Sequence, residues 1–410
     1  MKQNEKLLVG FTVFNTLLSV FTYFNIAYNG IGTNLFGGKI GLIVFALYFI
    51  TVLVCGRSNT FDKQNTKYAV LLAFALFLIW LITLGSADYL ENFYILALFY
   101  IGVYVSFRDD LKIICFEWFI KAFSIILAIS LFEFIIYSVS GVGVVLFTSI
   151  SRLGDNDVTL TQLLFNLLTD SDSSFIYRFQ CLSEEPGVIG TVCGFLIFLT
   201  RGNEKYKKEY YVFLIAGLLS FTLAFYALFL LHLFNASTIK FKQVLTYTAI
   251  VFLGFVFFRQ YIDDFLLYRI AGRELSEIDN RSAGDFAHQF DVALQSGHLW
   301  LSNYSKGYNI NGAGLKMFIW RYGLVSLFLI FGAYSYVFFK WKRRYRSKTW
   351  ATILFFLAFW ISFYQRHYIT NMEYFICFFS APLLYGTQNR VLNKKGSVSP
   401  DDSRNKPASI

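Results

Sequence analysis

Charge is scarce in this sequence. Asp, Glu, Lys and Arg make up only 15% of the 410 residues, where a soluble chain carries about 25%. Proline is scarcer still, with four in the whole chain, too few for a Pro-rich linker between domains. The five cysteines (Cys55, Cys115, Cys181, Cys193 and Cys377) are scattered, mostly in apolar runs, and show no paired metal-ligand spacing. Neither a disulfide framework nor a metal site follows from them. What fills the chain instead is hydrophobic: 56% of the residues, with a positive mean hydropathy. That balance excludes a soluble enzyme, a disordered chain and a nucleic-acid binder, despite a formal net charge of +10. Length alone would predict two or three domains, but one membrane bundle absorbs it all.

A bilayer core needs roughly 20 apolar residues as helix. Candidate spans are 7–28, 39–55, 68–85, 93–107, 113–139, 185–200, 241–258, 315–340, 349–366 and 371–387. The first has a short basic lead, Lys2 and Lys6, with no small-residue cleavage site after it, and reads as a retained span. Lys and Arg set the orientation. With the N-terminus cytoplasmic, 56–67, 201–209 and the basic run 340–348 lie inside, as does the tail with Lys394 and Lys395. Segments 140–184 and 259–314 are then long external loops.

The two ends of the chain disagree at 210–236. Arg201–Lys208 and the Lys240/Lys242 pair both favour the cytoplasm, yet one apolar run separates them. A broken hairpin of two short half-helices, turning near Ser220-Phe221-Thr222, satisfies both clusters. Such breaks require protein or a watery cavity to satisfy the freed backbone. The alternative is one long helix with the lysine pair on the wrong side. With the hairpin, the expectation is an all-α fold: a polytopic membrane helix bundle of about 12 segments over residues 1–387, both termini inside. The polar tail 388–410 is expected to be disordered.

Long loops in compact structures are usually functional. The first ends in Tyr177-Arg178-Phe179-Gln180-Cys181-Leu182-Ser183-Glu184-Glu185-Pro186-Gly187. Ser183 or Glu184 can cap a helix whose first turn takes Pro186, with Glu184 and Glu185 at its positive end. Arg178 is harder to account for structurally, since it lies away from the favoured basic side. The second loop holds Arg269, Arg273, Arg281, His288, His298 and Lys306, but its acids outnumber its bases. Arg suits bidentate phosphate binding; the alternative is solvated pairing with Glu274, Glu277, Asp279 and Asp285. His288 and His298 are either structural or able to take a proton from a hydroxyl near neutrality. Gly307, Gly312 and Gly314 close the loop before Lys316, which either serves a site or snorkels. Among charges within spans, Glu117 and Lys121 read as an i, i+4 pair. Glu133 has no local partner. Arg366-His367, at a short external turn, is a secondary candidate.

These elements resemble a bacterial O-antigen polymerase of the Wzy type, within the O-antigen ligase/polymerase superfamily, over roughly 90–390. Three local features carry the resemblance. One is Arg178 followed by the helix start Glu185-Pro186-Gly187-Val188-Ile189-Gly190. The second is the apolar hairpin with a small hydroxyl break, Leu219-Ser220-Phe221-Thr222. The third is the large loop with Asn280-Arg281 and Gly312-Ala313-Gly314, followed by Tyr322-Gly323-Leu324. Ligases of the superfamily carry a His-rich motif near the Gly-x-Gly. Here 312–323 contains no His, which favours polymerase over ligase.

The resemblance implies an inner-membrane protein with periplasmic loops 140–184 and 259–314. It implies glycosyl transfer between two undecaprenyl-pyrophosphate-linked oligosaccharides, without a cofactor. A chain-length regulator and a flippase are the protein partners it suggests. A diphosphate leaving group calls for a metal or for arginines, and the sequence has no acidic metal cluster. Arg178, Arg273 and Arg281 are therefore expected on the pyrophosphate, with Lys316, His298 and Arg366 as further binding candidates. The base that deprotonates the acceptor hydroxyl is expected at Glu185, Glu184 or His288, in that order. The alternatives are a lipid-linked oligosaccharide flippase or other transporter, with Glu133 as a coupling site, and an O-antigen ligase. No internal repeat of the kind transporters carry is evident.

Overall fold

Proline-free runs of Leu, Ile, Val and Phe leave the backbone little choice but helix once water is excluded. The computed structural model describes residues 1–21, 40–56, 59–83, 91–153, 156–170, 177–183, 185–234, 284–301, 314–347, 349–365 and 371–396. Over these the chain is mostly helical: α1 Gln3–Val20, α2 Ile40–Cys55, α3 Lys63–Thr83, α4 Glu91–Ser106, α5 Asp109–Ser140, α6 Pro186–Thr200, α7 Lys207–Leu219, α8 Leu223–Phe234, α9 Gly284–Gln295, α10 Leu315–Tyr345, α11 Thr349–Gln365 and α12 Met372–Gly396. Two of them, α5 and α10, are long and apolar enough to cross a membrane. Candidate span 241–258 lies outside the described residues. Residues 388–396, expected within a disordered tail, belong to α12, which runs on to Gly396; 397–410 lie outside the described residues.

One hydrophobic core unites α1 to α8 with α10, α11 and α12. It is built largely from aromatic rings. Phe195 of α6 meets Phe355 and Phe359 of α11, and Phe359 packs at a tilt against Phe378 of α12 with centroids 4.2 Å apart. All five cysteines are buried and free.

The helix polarities give the bundle two distinct ends. At one, Arg344 reaches Asp109 at 3.3 Å and Asp62 at 3.6 Å, and Tyr345 donates to Asp109 at 2.6 Å. Lys112 is fully buried there, its Nζ 4.0 Å from the Trp341 ring centroid and 3.7 Å from Asp109. Arg108 pairs with Glu5 at 3.3 Å. Glu117 does not pair with Lys121 as expected. Lys121 is exposed, and the partner of Glu117 is Lys205 of the α6–α7 connection. Basic residues thus gather at this end, together with the ends of α4, α6 and α10 and the starts of α3 and α5.

The opposite end carries the loops. The predominantly helical fold agrees with the all-α expectation, and the one exception is local: the first loop folds as an antiparallel sheet of β1 Val145–Leu153, β2 Asn156–Leu163 and β3 Leu167–Asp170, in that order. β-Branched and apolar residues alternate through Val158-Thr159-Leu160-Thr161, the pattern of a half-buried strand. The Gly-Asp pair that separates β1 and β2 in the sequence is favoured in two-residue hairpin loops.

Candidate functional site

The loop-end site starts from the small residues of α6. Pro186 takes its first position, so the N-cap is Glu185 rather than Ser183 or Glu184. Its carboxylate makes no capping hydrogen bond. Along α6, Gly190 and Gly194 leave a shallow face on which the hairpin turn and α8 pack. A Cβ on Gly190 would lie 2.1 Å from Thr222 Oγ1 and 2.7 Å from Ser220 Oγ, and one on Gly194 would lie 2.6 Å from Leu228. The helix-start motif and the hydroxyl break are therefore docked directly on each other.

The broken hairpin has the expected form. α7 and α8 are too short to cross a 30 Å layer at about 1.5 Å per residue. They turn back through Ser220, Phe221 and Thr222, with Phe221 in the left-handed region at φ 46°. Two arginines clamp the hairpin. At the turn, Arg178 donates through Nε to the Ser220 carbonyl and through Nη2 to the Phe221 carbonyl, both at 3.3 Å. At its open end, Arg201 donates to the His232 carbonyl at 2.9 Å and lies 3.1 Å from His232 Nε2. Tyr210 of α7 also meets that ring nitrogen at 3.3 Å.

The segment bearing Arg178 is fixed from both sides. The Phe179 amide donates to Leu219, and the Cys181 carbonyl accepts from Leu167 of β3. Glu133 of α5 anchors the β2–β3 turn. Its carboxylate accepts from the Leu164 and Phe165 amides at 3.0 and 2.9 Å and from Asn166 Nδ2 at 2.7 Å. Glu133 lacks a partner only in local sequence; in space its partners belong to the turn. Burial pushes the Cys181 thiol up to about 12, so it is an inert packing group. Ser183 Oγ, fully buried beside the start of α6, has no hydrogen-bond partner among the described residues.

A second group forms around α9. Phe286, Phe290 and Ala293 line its inner face and pack on Ile319 and Trp320 of α10. Lys316 lies with its Nζ 5.7 Å from the Phe290 ring centroid. His288 is exposed on the outer face of α9. His298 is also exposed, with Nδ1 2.9 Å from Ser296 Oγ. The α10 helix breaks at Gly323, φ 81°. The freed amides of Leu324 and Val325 donate to the carbonyls of Leu299 and Trp300 at 2.8 and 3.2 Å. A Cβ on Gly323 would meet that backbone at 2.7 Å, so the Tyr322-Gly323-Leu324 motif is where the second loop straps onto α10.

The structure thus joins Arg178 and Glu185 to the hairpin, and Lys316, His288 and His298 to α9. No hydrogen bond or ion pair links the two groups among the described residues, although both occupy the loop end. Glu184, Arg273, Arg281 and Arg366 lie outside the described residues. One carboxyl that sequence reading does not pick out is Glu373, fully buried at the start of α12. It accepts from Ser19 Oγ and from Asn371 Nδ2, the latter at 3.2 Å. Its signal is a lone acid inside the 371–387 span. No group of three or more metal-ligating side chains occurs among the described residues.

No family model matches the chain, and neither a curated protein nor a solved structure matches it.

Proposed function

We propose that the chain is a polytopic protein of the bacterial inner membrane, both termini cytoplasmic, that polymerises undecaprenyl-pyrophosphate-linked oligosaccharide repeat units at the periplasmic face. The membrane part of this reading is supported by apolar surface that water would not tolerate. Phe132 and Val139 on α5 are 70% and 84% exposed, and Leu53 and Val54 on α2 are 66% and 67% exposed. The basic end opposite the loop end supports the orientation.

The observation that carries the enzymatic part is the docked pair of motifs. The start of α6 presents Glu185 and a positive helix end, seated through Gly190 on a hairpin turn that holds the Arg178 guanidinium. In the proposed reaction the acceptor hydroxyl oxygen forms a bond to the donor's anomeric carbon. The carbon–oxygen bond to the pyrophosphate breaks, and its electron pair leaves on the diphosphate. Arg178 stabilises the charge developing on that diphosphate, with Arg273 and Arg281 as further phosphate ligands. Glu185 receives the hydroxyl proton. Glu184 is the second choice of base and His288, exposed on α9, the third.

The test is a lipopolysaccharide gel of a deletion strain complemented with wild type, Arg178→Ala or Arg281→Ala. The expected result is a single-repeat band in the deletion, restored to a ladder by wild type alone. A deletion without surface repeat would move the assignment to a flippase, and one accumulating finished polymer on its carrier lipid would move it to a ligase.

A further inference from the structure

Between α3 and α10, at the basic end of the bundle, lies a cavity of about 590 Å³ lined by Lys63, Gln64, Lys67, Tyr68, Leu71 and Tyr336. Its chemistry differs from the neighbouring ion network. Arg344, Asp62, Asp109 and Lys112 are committed to one another, whereas Lys63 and Lys67 are exposed and have no ion pair among the described residues. Lys340 likewise has none, and its Nζ sits 5.3 Å from the Tyr336 ring centroid on the cavity wall. The Arg344 guanidinium bonds Gln64 Oε1 at 3.3 Å and holds that side chain at the rim. Two cations, Lys63 and Lys67, therefore line one hollow and Lys340 flanks it beside Tyr336, with no ion pair to any of the three among the described residues.

The sequence order along α3 adds a direction. Lys63, Lys67, Leu71 and Phe74 fall at helical spacing on one face, so that face passes from basic to apolar as it enters the bundle's apolar belt. Leu71 and Phe74 are exposed. Across the groove α10 repeats the pattern, with Lys340 at the basic end and exposed Tyr336 one turn further in. An anionic group set at the level of the lysines, followed by hydrocarbon at the level of Leu71 and Phe74, matches both walls.

We infer that this groove binds an anionic phospholipid of the surrounding bilayer. The headgroup phosphate sits among Lys63, Lys67 and Lys340, and one acyl chain lies along Leu71 and Phe74. Basic pockets between helices on the cytoplasmic side suit such headgroups. The inference rests on the membrane reading proposed above, though not on the glycosyl-transfer reaction.

The experiment titrates full-length protein in mild detergent with phosphatidylglycerol, followed by native mass spectrometry. It compares wild type, the Lys63→Gln/Lys67→Gln double variant, the Lys63→Arg/Lys67→Arg double variant and, as control, Lys207→Gln/Lys208→Gln at the same end of the bundle. The Gln pair at 63 and 67 is expected to raise the Kd by roughly 10- to 30-fold, while the Arg pair and the control stay near wild type. Soluble glycerol phosphate is expected not to displace the lipid. Equal weakening in the control, unchanged binding in the Lys63→Gln/Lys67→Gln variant, or displacement by glycerol phosphate at similar concentration would each overturn the site as a lipid site. Carbonate washing of membranes separates the two levels of failure. Protein that stays in the pellet with unchanged lipid binding sinks only this inference, whereas release into the supernatant sinks the membrane reading with it.

Discussion

Gly190 and Thr222 are in such close register that a single added methyl would place carbon 2.1 Å from Thr222 Oγ1. Ser220 Oγ, 2.7 Å from the same point, donates to the Gly217 carbonyl and is not a loose end that swings away. Gly190→Ala is therefore expected to push α6 and the hairpin apart, at about 1–3 kcal/mol for forced overpacking. A lower thermal midpoint in detergent, with partial recovery in Gly190→Ala/Thr222→Ala, is the predicted outcome. Wild-type stability in the single variant would mean that the motifs are not docked as described.

Arg178 joins structure to the proposed chemistry. Its two bonds to the Ser220 and Phe221 carbonyls need the planar fork of a guanidinium, which an ammonium cannot reproduce. Arg178→Ala and Arg178→Lys are both predicted to reduce surface polymer to a single-repeat band. Losing hydrogen bonds from a charged donor costs about 1.5–3 kcal/mol, so protein level must be followed by immunoblot. If Arg178→Lys gives wild-type ladders, neither the fork geometry nor the proposed pyrophosphate contact survives.

The hairpin was legible in the sequence because charge constrained it. Arg201–Lys208 and Lys240/Lys242 flank one apolar run, and only a turn near Ser220 satisfies both. The cap position was legible to within a residue, since Pro186 marks the first turn. The sheet was harder to see. β1 begins a few residues after the apolar end of α5, in the short continuous apolar run Val144-Val145-Leu146-Phe147, which periodicity cannot assign to strand or helix. The role of Glu133 could not be read from sequence at all, because its amide donors lie 31 and 32 residues further on. Arg178 stood out as a misplaced charge, but nothing local announced that its first partners are backbone carbonyls of another element.

Those three bonds to Glu133 make a prediction that separates anchoring from ion coupling. Glu133→Ala removes a charged acceptor from two amides and one side-chain amide, and is predicted to destabilise the β2–β3 turn by about 1.5–3 kcal/mol. Limited proteolysis of purified protein should then cut within 156–170 faster than in wild type. Glu133→Gln keeps an acceptor oxygen and should fall between. A Glu133→Ala protein with native protease resistance would reopen a coupling role for this carboxylate.

At the basic end, Asp62 gives the fold a pH dependence with a definite sign. Burial alone would raise its pKa. The Asn65 amide at 2.8 Å and the Arg344 guanidinium at 3.6 Å more than offset that and hold the carboxyl below its ordinary value. A folded-state value below the unfolded one contributes stability that is fully present above the ordinary aspartate value of about 3.9. That contribution is lost as pH falls through this value toward the lower, folded one. Wild type in detergent should therefore lose thermal midpoint more steeply than Asp62→Asn between about pH 5 and about pH 3. Near neutrality the order is fixed by the ion pair, and Asp62→Asn should melt below wild type. Parallel pH profiles for the two proteins would show that the Asp62–Arg344 pair contributes nothing to holding α3 against α10.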